Sequence, residues 1–250
     1  MADSTVVFIS GVSSGIGRGL VEAYLTRPNY TVIGSVRNGN SPAATELKST
    51  PTAPGSKLLL VELENTSVTD PARVLAEIQA AGIEHLDIVI ANAGASPPVV
   101  PLDTVETADL LTAFHTNAAA PLLLFQTFRE LLKASKQPKW ASISSGAGSV
   151  ADIGPKGSWF LPAYGVSKAA LNWITEAICF SQDWLVALTL HPGFVQSGPG
   201  NWVANQFGME KAPTTIEESA AGIIKVIDEA TRETASGKFI DAVPGSVIPW

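Results

Sequence analysis

Thr5-Val6-Val7-Phe8-Ile9-Ser10-Gly11-Val12-Ser13-Ser14-Gly15-Ile16-Gly17 reads as a strand that breaks into a glycine-rich turn and then opens a helix. Residues 6–9 are all apolar, as a strand covered on both faces requires; a half-exposed strand would alternate. Gly11 suits the tight turn, Gly15 lets the backbone approach a pyrophosphate, and Gly17 permits close packing of helix on strand. Amides exposed at the start of a helix over Gly15–Leu25, reinforced by the helix dipole, favour an anion. Ser13, Ser14 and Ile16 fall within the same candidate site.

Similar apolar density recurs at Tyr30–Val36, 57–63, 86–91, 139–144, 185–191 and 238–240. Between these runs lie amphipathic stretches long enough for crossover helices, at 71–81, 104–132, 164–178 and 215–229. The pattern predicts an α/β fold of Rossmann type: a doubly wound, mostly parallel seven-stranded sheet with helices on both faces. Pro, Gly and Ser gather at 38–42, 49–56, 96–101, 146–162 and 196–213, but none of these separates two independently patterned halves. Residues 1–250 are therefore read as one domain with several long loops. The loops at 146–162 and 196–213 follow strand C-termini, where ligands bind in open α/β sheets.

With 250 residues, 46% of them hydrophobic, the chain can bury a substantial core. Its 16 Lys and Arg are scattered and outnumbered by 23 Asp and Glu, so no basic stripe is available to neutralise nucleic-acid phosphates. The one cysteine, Cys179, sits in Ile178-Cys179-Phe180 and reads as a small buried hydrophobe, in keeping with a reducing, cytoplasmic setting. The early apolar run is too short for a secretory signal or a membrane span, so neither targeting nor membrane association is expected. His85, His115 and His191 lack metal-ligand spacing and are read as structural; no metal is expected. Gly146-Ala147-Gly148-Ser149 does not supply the nucleophile elbow of a serine hydrolase.

Tyr164-Gly165-Val166-Ser167-Lys168 places a phenol and an ammonium at i and i+4, on one face of the helix expected there. For acid–base work at neutral pH the phenol pKa must fall from about 10 to near 7, roughly 4 kcal/mol, and a neighbouring cation is the obvious source. Ile143-Ser144-Ser145 ends the fifth strand, where a hydroxyl can face a cleft and meet an oxygen whose charge is changing. A mid-helix asparagine, Asn117 in His115-Thr116-Asn117-Ala118-Ala119, is a poor helix former, and local helix distortion is one reason for it.

The spacing Gly11-x-x-x-Gly15-x-Gly17, with Tyr164-x-x-x-Lys168 downstream, resembles the short-chain dehydrogenase/reductase family across the whole chain. Asn92-Ala93-Gly94 resembles that family's Asn-Asn-Ala-Gly segment beside the cofactor, with Ala91 in place of the first Asn. Glu64-Asn65 stands where the family usually has Asp followed by a small apolar residue at the adenine. The resemblance implies Ser145 as the hydroxyl that holds the reacting oxygen, Tyr164 as proton donor and acceptor, and Lys168 as the group that also holds the nicotinamide ribose. It implies Asn117 as the anchor of a water leading to Lys168. His191-Pro192-Gly193-Phe194-Val195-Gln196-Ser197 resembles the family's Pro-Gly segment at the carboxamide, giving Pro192, Gly193, Val195 and Ser197 as cofactor residues, with Ser197 in place of the usual threonine. The interval from Ser145 to Tyr164 is longer than the family's, which points to an extra loop at the substrate mouth.

Cofactor choice falls to the end of the second strand, where an acid would bind the ribose 2′-hydroxyl. Ser35-Val36-Arg37-Asn38 has no acid, and a guanidinium suits a 2′-phosphate, so Arg37 argues for NADP(H), helped by the hydroxyls of Ser13 and Ser35. The expected activity is reduction of a carbonyl, or oxidation of an alcohol, with a bulky apolar or aromatic substrate met by Trp159, Phe160 and Trp202. The apolar stretch Val247-Ile248-Pro249-Trp250 suggests burial against a second subunit or beside a pocket, and a homodimer or homotetramer is expected. Two alternatives stay open at this point: a silent NADP(H)-binding sensor or scaffold, and an NAD-linked alcohol dehydrogenase.

Overall fold

The structure, a computed structural model, describes residues 4–250. In chain order it runs β1 (Thr5–Ile9), α1 (Gly15–Leu25), β2 (Tyr30–Val36), α2 (Pro42–Lys48), β3 (Lys57–Glu62), α3 (Asp70–Ala80) and β4 (Ile88–Ala91). Then come α4 (Thr107–Phe114), α5 (Ala120–Lys133), β5 (Lys139–Ile143), α6 (Pro162–Ser181), β6 (Val186–His191), α7 (Gly198–Gln206), α8 (Ile216–Glu229) and β7 (Phe239–Asp241). The strands form one seven-stranded sheet in the order β3-β2-β1-β4-β5-β6-β7, every pairing parallel.

Side chains of β1 alternate between two cores, as period-two geometry demands. Val7 and Ile9 join Leu20, Tyr24 and Ile223 under α1 and α8; Val6 and Phe8 join Ile78, Phe128 and Trp140 under α3 and α5. Both faces are thus covered, which is why the strands are apolar throughout. Phe8 meets Phe128 edge-on at 4.7 Å, and Trp140 meets Phe125 at 5.4 Å. The chain winds outward from β1 in one direction and from β4 in the other, so the crevice beyond their C-termini is the switch point where ligands bind in such sheets.

Three expectations need correction. The helix expected over 104–132 begins at Thr107 and is interrupted by a π turn at His115–Ala119, so α4 and α5 are out of phase. The 196–213 segment is not irregular: Ser197 caps α7 by accepting from the Gly200 amide at 3.2 Å. Its two ends are drawn together by a bridge between Val195 and Thr214, with the Gln196 amide donating to the Thr214 carbonyl at 2.8 Å. Finally, the Val247–Trp250 stretch docks on its own chain. Ile248 is buried, Trp250 stacks on Phe239 at 5.6 Å, and the Ala151 amide donates to the Trp250 carbonyl at 2.9 Å. Among the described residues no helix is long and apolar enough to cross a membrane.

Candidate active site

At the switch point, the turn after β1 is held open by geometry that only small residues allow. Gly11 and Gly15 have φ of +72° and +56°, in the left-handed region that favours glycine. A Cβ on Gly17 would lie 2.2 Å from the Gly11 carbonyl oxygen and 2.6 Å from Asn92 Nδ2. Asn92 clamps the turn, donating from Nδ2 to the carbonyls of Ser10 (2.9 Å) and Gly11 (3.1 Å). Buried Ser10, which the sequence reading passed over, accepts at Oγ from the amides of Asn92 and Ala93 at 3.0 and 2.9 Å. Its signal was a lone hydroxyl at a strand C-terminus.

At the start of α1, Ser14 is in the N-cap position, yet its side chain makes no capping hydrogen bond. The first-turn amides are therefore available to an anion, which fits the pyrophosphate site that the glycine spacing predicts. The donor set farther along fits a phosphorylated ribose. Arg37 is exposed, and no hydrogen bond or ion pair engages it among the described residues. Ser35 plays a different part from the one expected: it is buried, and its Oγ accepts from the Gly11 amide at 3.0 Å, tying β2 to the turn. Glu64 accepts from the Thr66 hydroxyl at 3.1 Å and so braces the bend after β3. Asn65 donates to the Thr116 carbonyl at 3.0 Å, joining that bend to the π turn.

The chemical groups converge one strand further along. Asn117, fully buried in the π turn, donates from Nδ2 to the Ala95 carbonyl (2.8 Å) and Ser167 Oγ (3.0 Å), and accepts from the Ala95 amide (2.8 Å). Gly94 lies against it: a Cβ there would be 3.0 Å from Asn117 Oδ1 and 3.6 Å from Lys168 Nζ. These spacings bring Asn117 and Lys168 to one place from elements far apart in sequence. α6 starts at Pro162, two residues earlier than expected, which puts Tyr164 in its first turn. Gly148 backs onto α6 so closely that a Cβ would meet Lys168 backbone carbon at 2.8 Å. The Ser145 turn and the Tyr164–Lys168 helix are thereby pressed together. Ser145 Oγ accepts from the Ala147 amide at 3.2 Å, leaving its proton to donate.

Electrostatics depart from the simple expectation. Burial pushes the Tyr164 phenol above its ordinary value, and a hydrogen bond with Ser145 acts the other way. Lys168 does not lower it in this state. Its Nζ sits 5.7 Å from the phenol ring centroid and donates to the Ile143 carbonyl at 2.9 Å. Desolvation brings the lysine down to about 8. His191, at the end of β6, accepts at Nδ1 from the Gly146 amide at 3.1 Å, and burial holds its pKa below the ordinary imidazole value.

Around the mouth, the 149–161 segment and α7 meet through aromatics. Phe160 contacts Phe207 edge-on at 5.0 Å and Trp159 at 6.3 Å, while Trp159 is 64% exposed and Trp202 is also exposed. Gly193, at φ +88°, packs against Thr214 and Val243, and Ser197 approaches Gly15, so the Pro192–Ser197 stretch borders the glycine turn. Among the described residues no group of His, Cys, Asp and Glu is placed to hold a metal ion.

The chain is similar to known proteins along its whole length. The chain is 55% identical over 253 residues to the short-chain dehydrogenase srdF of Neurospora crassa, covering 100% of this chain and 99% of that protein. It is 41% identical to the norsolorinic acid ketoreductase stcE of Emericella nidulans, covering 98% and 94%. Its fold superposes on the NADPH-bound carbonyl reductase from chicken fatty liver with a TM-score of 0.85 at 26% identity, covering 99% and 100%. The family model for short chain dehydrogenases matches residues 5–198, and the chain belongs to that family.

Proposed function

We propose that this protein is an NADP(H)-dependent carbonyl reductase whose whole chain, 1–250, acts as one dinucleotide-binding catalytic domain. The observation that carries the reading is the meeting of Ser145, Tyr164, Lys168 and Asn117 beside a glycine turn whose helix amides are uncapped. The turn Gly11, Ser13, Ser14, Gly15, Ile16 and Gly17 would hold the pyrophosphate, Arg37 the 2′-phosphate, and Lys168 the nicotinamide ribose. Asn92, Ala93, Gly94, Pro192, Gly193, Val195 and Ser197 would shape the nicotinamide side, with Glu64 and Asn65 near the adenine. When bound, the nicotinamide supplies or takes up the hydride.

The chain's own residues manage the oxygen and its proton. Ser145, whose lone pair is engaged by the Ala147 amide, donates to the substrate oxygen. Tyr164 protonates that oxygen as it gains negative charge. Burial favours the neutral phenol, so in the free site Tyr164 carries the proton that reduction calls for. Lys168 and Asn117 then return a proton to Tyr164 through water.

Exposed Trp159 and Trp202, with Phe160, support a bulky apolar or aromatic ketone, and a relative is named a ketoreductase of norsolorinic acid. Association of copies as a dimer or tetramer belongs to the same proposal. It is supported by an apolar strip on α6 in which Val166, Trp173 and Phe180 recur every seven residues, the last two 73% and 81% exposed. The buried free thiol of Cys179 supports a reducing cytoplasmic setting.

The test is cofactor oxidation with NADPH and NADH against carbonyls from small aldehydes to polycyclic ketones. NADPH-dependent turnover that Tyr164→Phe abolishes, with NADPH affinity kept, is expected. NADPH binding without turnover of any carbonyl would leave the sensor reading standing, and preference for NADH the alcohol-dehydrogenase reading.

A further inference from the structure

We propose that His191 is a positioning residue: its neutral imidazole holds the turn carrying Ser145, through the Gly146 amide, so that the serine hydroxyl stays directed at the reacting oxygen. The inference rests on the carbonyl-reductase reading for its consequence, although the contact itself stands on geometry. β5 and β6 pair in parallel as far as Ile143 and Leu190, which brings the ends of the two strands side by side. The Gly146 amide donates to His191 Nδ1 at 3.1 Å, and a Cβ on Gly146 would lie 3.7–3.9 Å from three atoms of the ring. The imidazole therefore lies against the peptide next to Ser145.

The next two amides of the turn are satisfied within it. Ala147 donates to Ser145 Oγ at 3.2 Å and Gly148 to the Ser145 carbonyl at 2.8 Å. Side-chain tethering of the turn to β6 is left to His191. The same residue precedes Pro192-Gly193, so the ring links the serine turn to the stretch that borders the glycine turn.

An imidazole nitrogen accepts only while it carries no proton; in the cation both nitrogens donate, and Nδ1 would oppose the Gly146 N–H. Charged groups face the ring from two neighbouring elements: Asp241 on β7 favours its protonation, and Lys156 on the 149–161 segment disfavours it. Burial is the largest influence and keeps the ring neutral at neutral pH. Acid should release the turn.

The experiment compares the unmutated enzyme, His191→Leu and His191→Asn as full chains, measuring kcat for one ketone from pH 4.5 to 8 and NADPH affinity by fluorescence. Asn is chosen because its amide oxygen falls near the place of Nδ1 and does not titrate. Loosening a positioned donor should lower kcat about ten-fold in His191→Leu at pH 7, with NADPH affinity kept. His191→Asn should restore most of it and lack the acid limb, below the ordinary imidazole value of 6.5, that the unmutated enzyme shows. Unchanged kcat in His191→Leu, or the same acid limb in His191→Asn, overturns the proposal. Hydrogen exchange of the Gly146 amide is a second readout that needs no substrate: protection should be lost in His191→Leu and kept in His191→Asn. If the enzyme reduces no carbonyl, the functional reading fails, while the exchange result still decides whether His191 holds the turn. Should His191→Leu fail to fold, the pH profile and exchange of His191→Asn decide alone.

Discussion

Replacing Arg37 by aspartate should invert cofactor preference without harming the fold. Arg37 is exposed and has no partner among the described residues, so its removal should change stability by less than about 0.5 kcal/mol. A charge-assisted hydrogen bond to the 2′-phosphate contributes about 1.5–3 kcal/mol, which the substitution removes. The new carboxylate a few ångström from a phosphate dianion in water adds roughly 1–2 kcal/mol of repulsion. Together these amount to roughly a hundred-fold to a few thousand-fold loss in kcat/KM for NADPH. NADH, which lacks that phosphate, should be nearly unaffected or slightly improved. The assay is kcat/KM for both cofactors with one ketone, at low and high salt, beside a thermal melt. High salt should shrink the penalty, because screening weakens charges at an exposed site. A change of less than about ten-fold in the NADPH to NADH ratio, with the melt unchanged, would refute the assignment of Arg37, since ten-fold is about 1.4 kcal/mol, well short of the smallest energy expected here.

Asn117→Ala removes three hydrogen bonds from a buried site, costing about 3 kcal/mol and lowering the melting temperature by roughly 6–12 °C. Calorimetry checks this, and turnover should fall more than NADPH affinity. Because desolvation brings Lys168 down to about 8, its ammonium is lost as pH rises through that value in the free enzyme. Activity measured as kcat/KM should therefore fall above pH 8, and Lys168→Arg should move the alkaline limb upward; a limb unchanged in Lys168→Arg counts against the assignment. Stability runs the other way, because the folded state releases a proton that the unfolded chain holds up to about 10.5, so thermal melts should improve between those values. Trp250→Ala removes the stack on Phe239 and should loosen the 149–161 segment, seen as faster proteolysis there and a higher KM for bulky ketones with small aldehydes less affected.

Much of the fold was legible because the sheet is buried on both faces: seven apolar runs marked seven strands, with boundaries within two residues. The two helices that escaped notice, α2 and α7, are short and open on Ser41-Pro42 and Ser197-Gly198-Pro199, stretches that read as loop until the capping hydroxyl is seen. In the site, residues paired by local spacing, such as Tyr164 and Lys168, could be found from the chain, and the distortion suspected at Asn117 is a π turn. Contacts made across the sheet could not: Ser10 with Asn92, Ser35 with Gly11, and His191 with Gly146 join residues 24 to 82 positions apart. The direction of the Tyr164 shift was hidden for the same reason, since burial outweighs any neighbour named by spacing.

The π turn at His115–Ala119 gives this protein a fault line that mutation would easily repair. A one-residue deletion there would restore an unbroken α-helical hydrogen-bond ladder across α4 and α5, and by helix propensity alone such a chain should form that helix more readily. It would also rotate Asn117 by about 100° on the helix wheel, away from Ala95 and Ser167. Such a deletion should give a more regular helix and a disassembled site, so at this turn local regularity and the placing of Asn117 pull against each other.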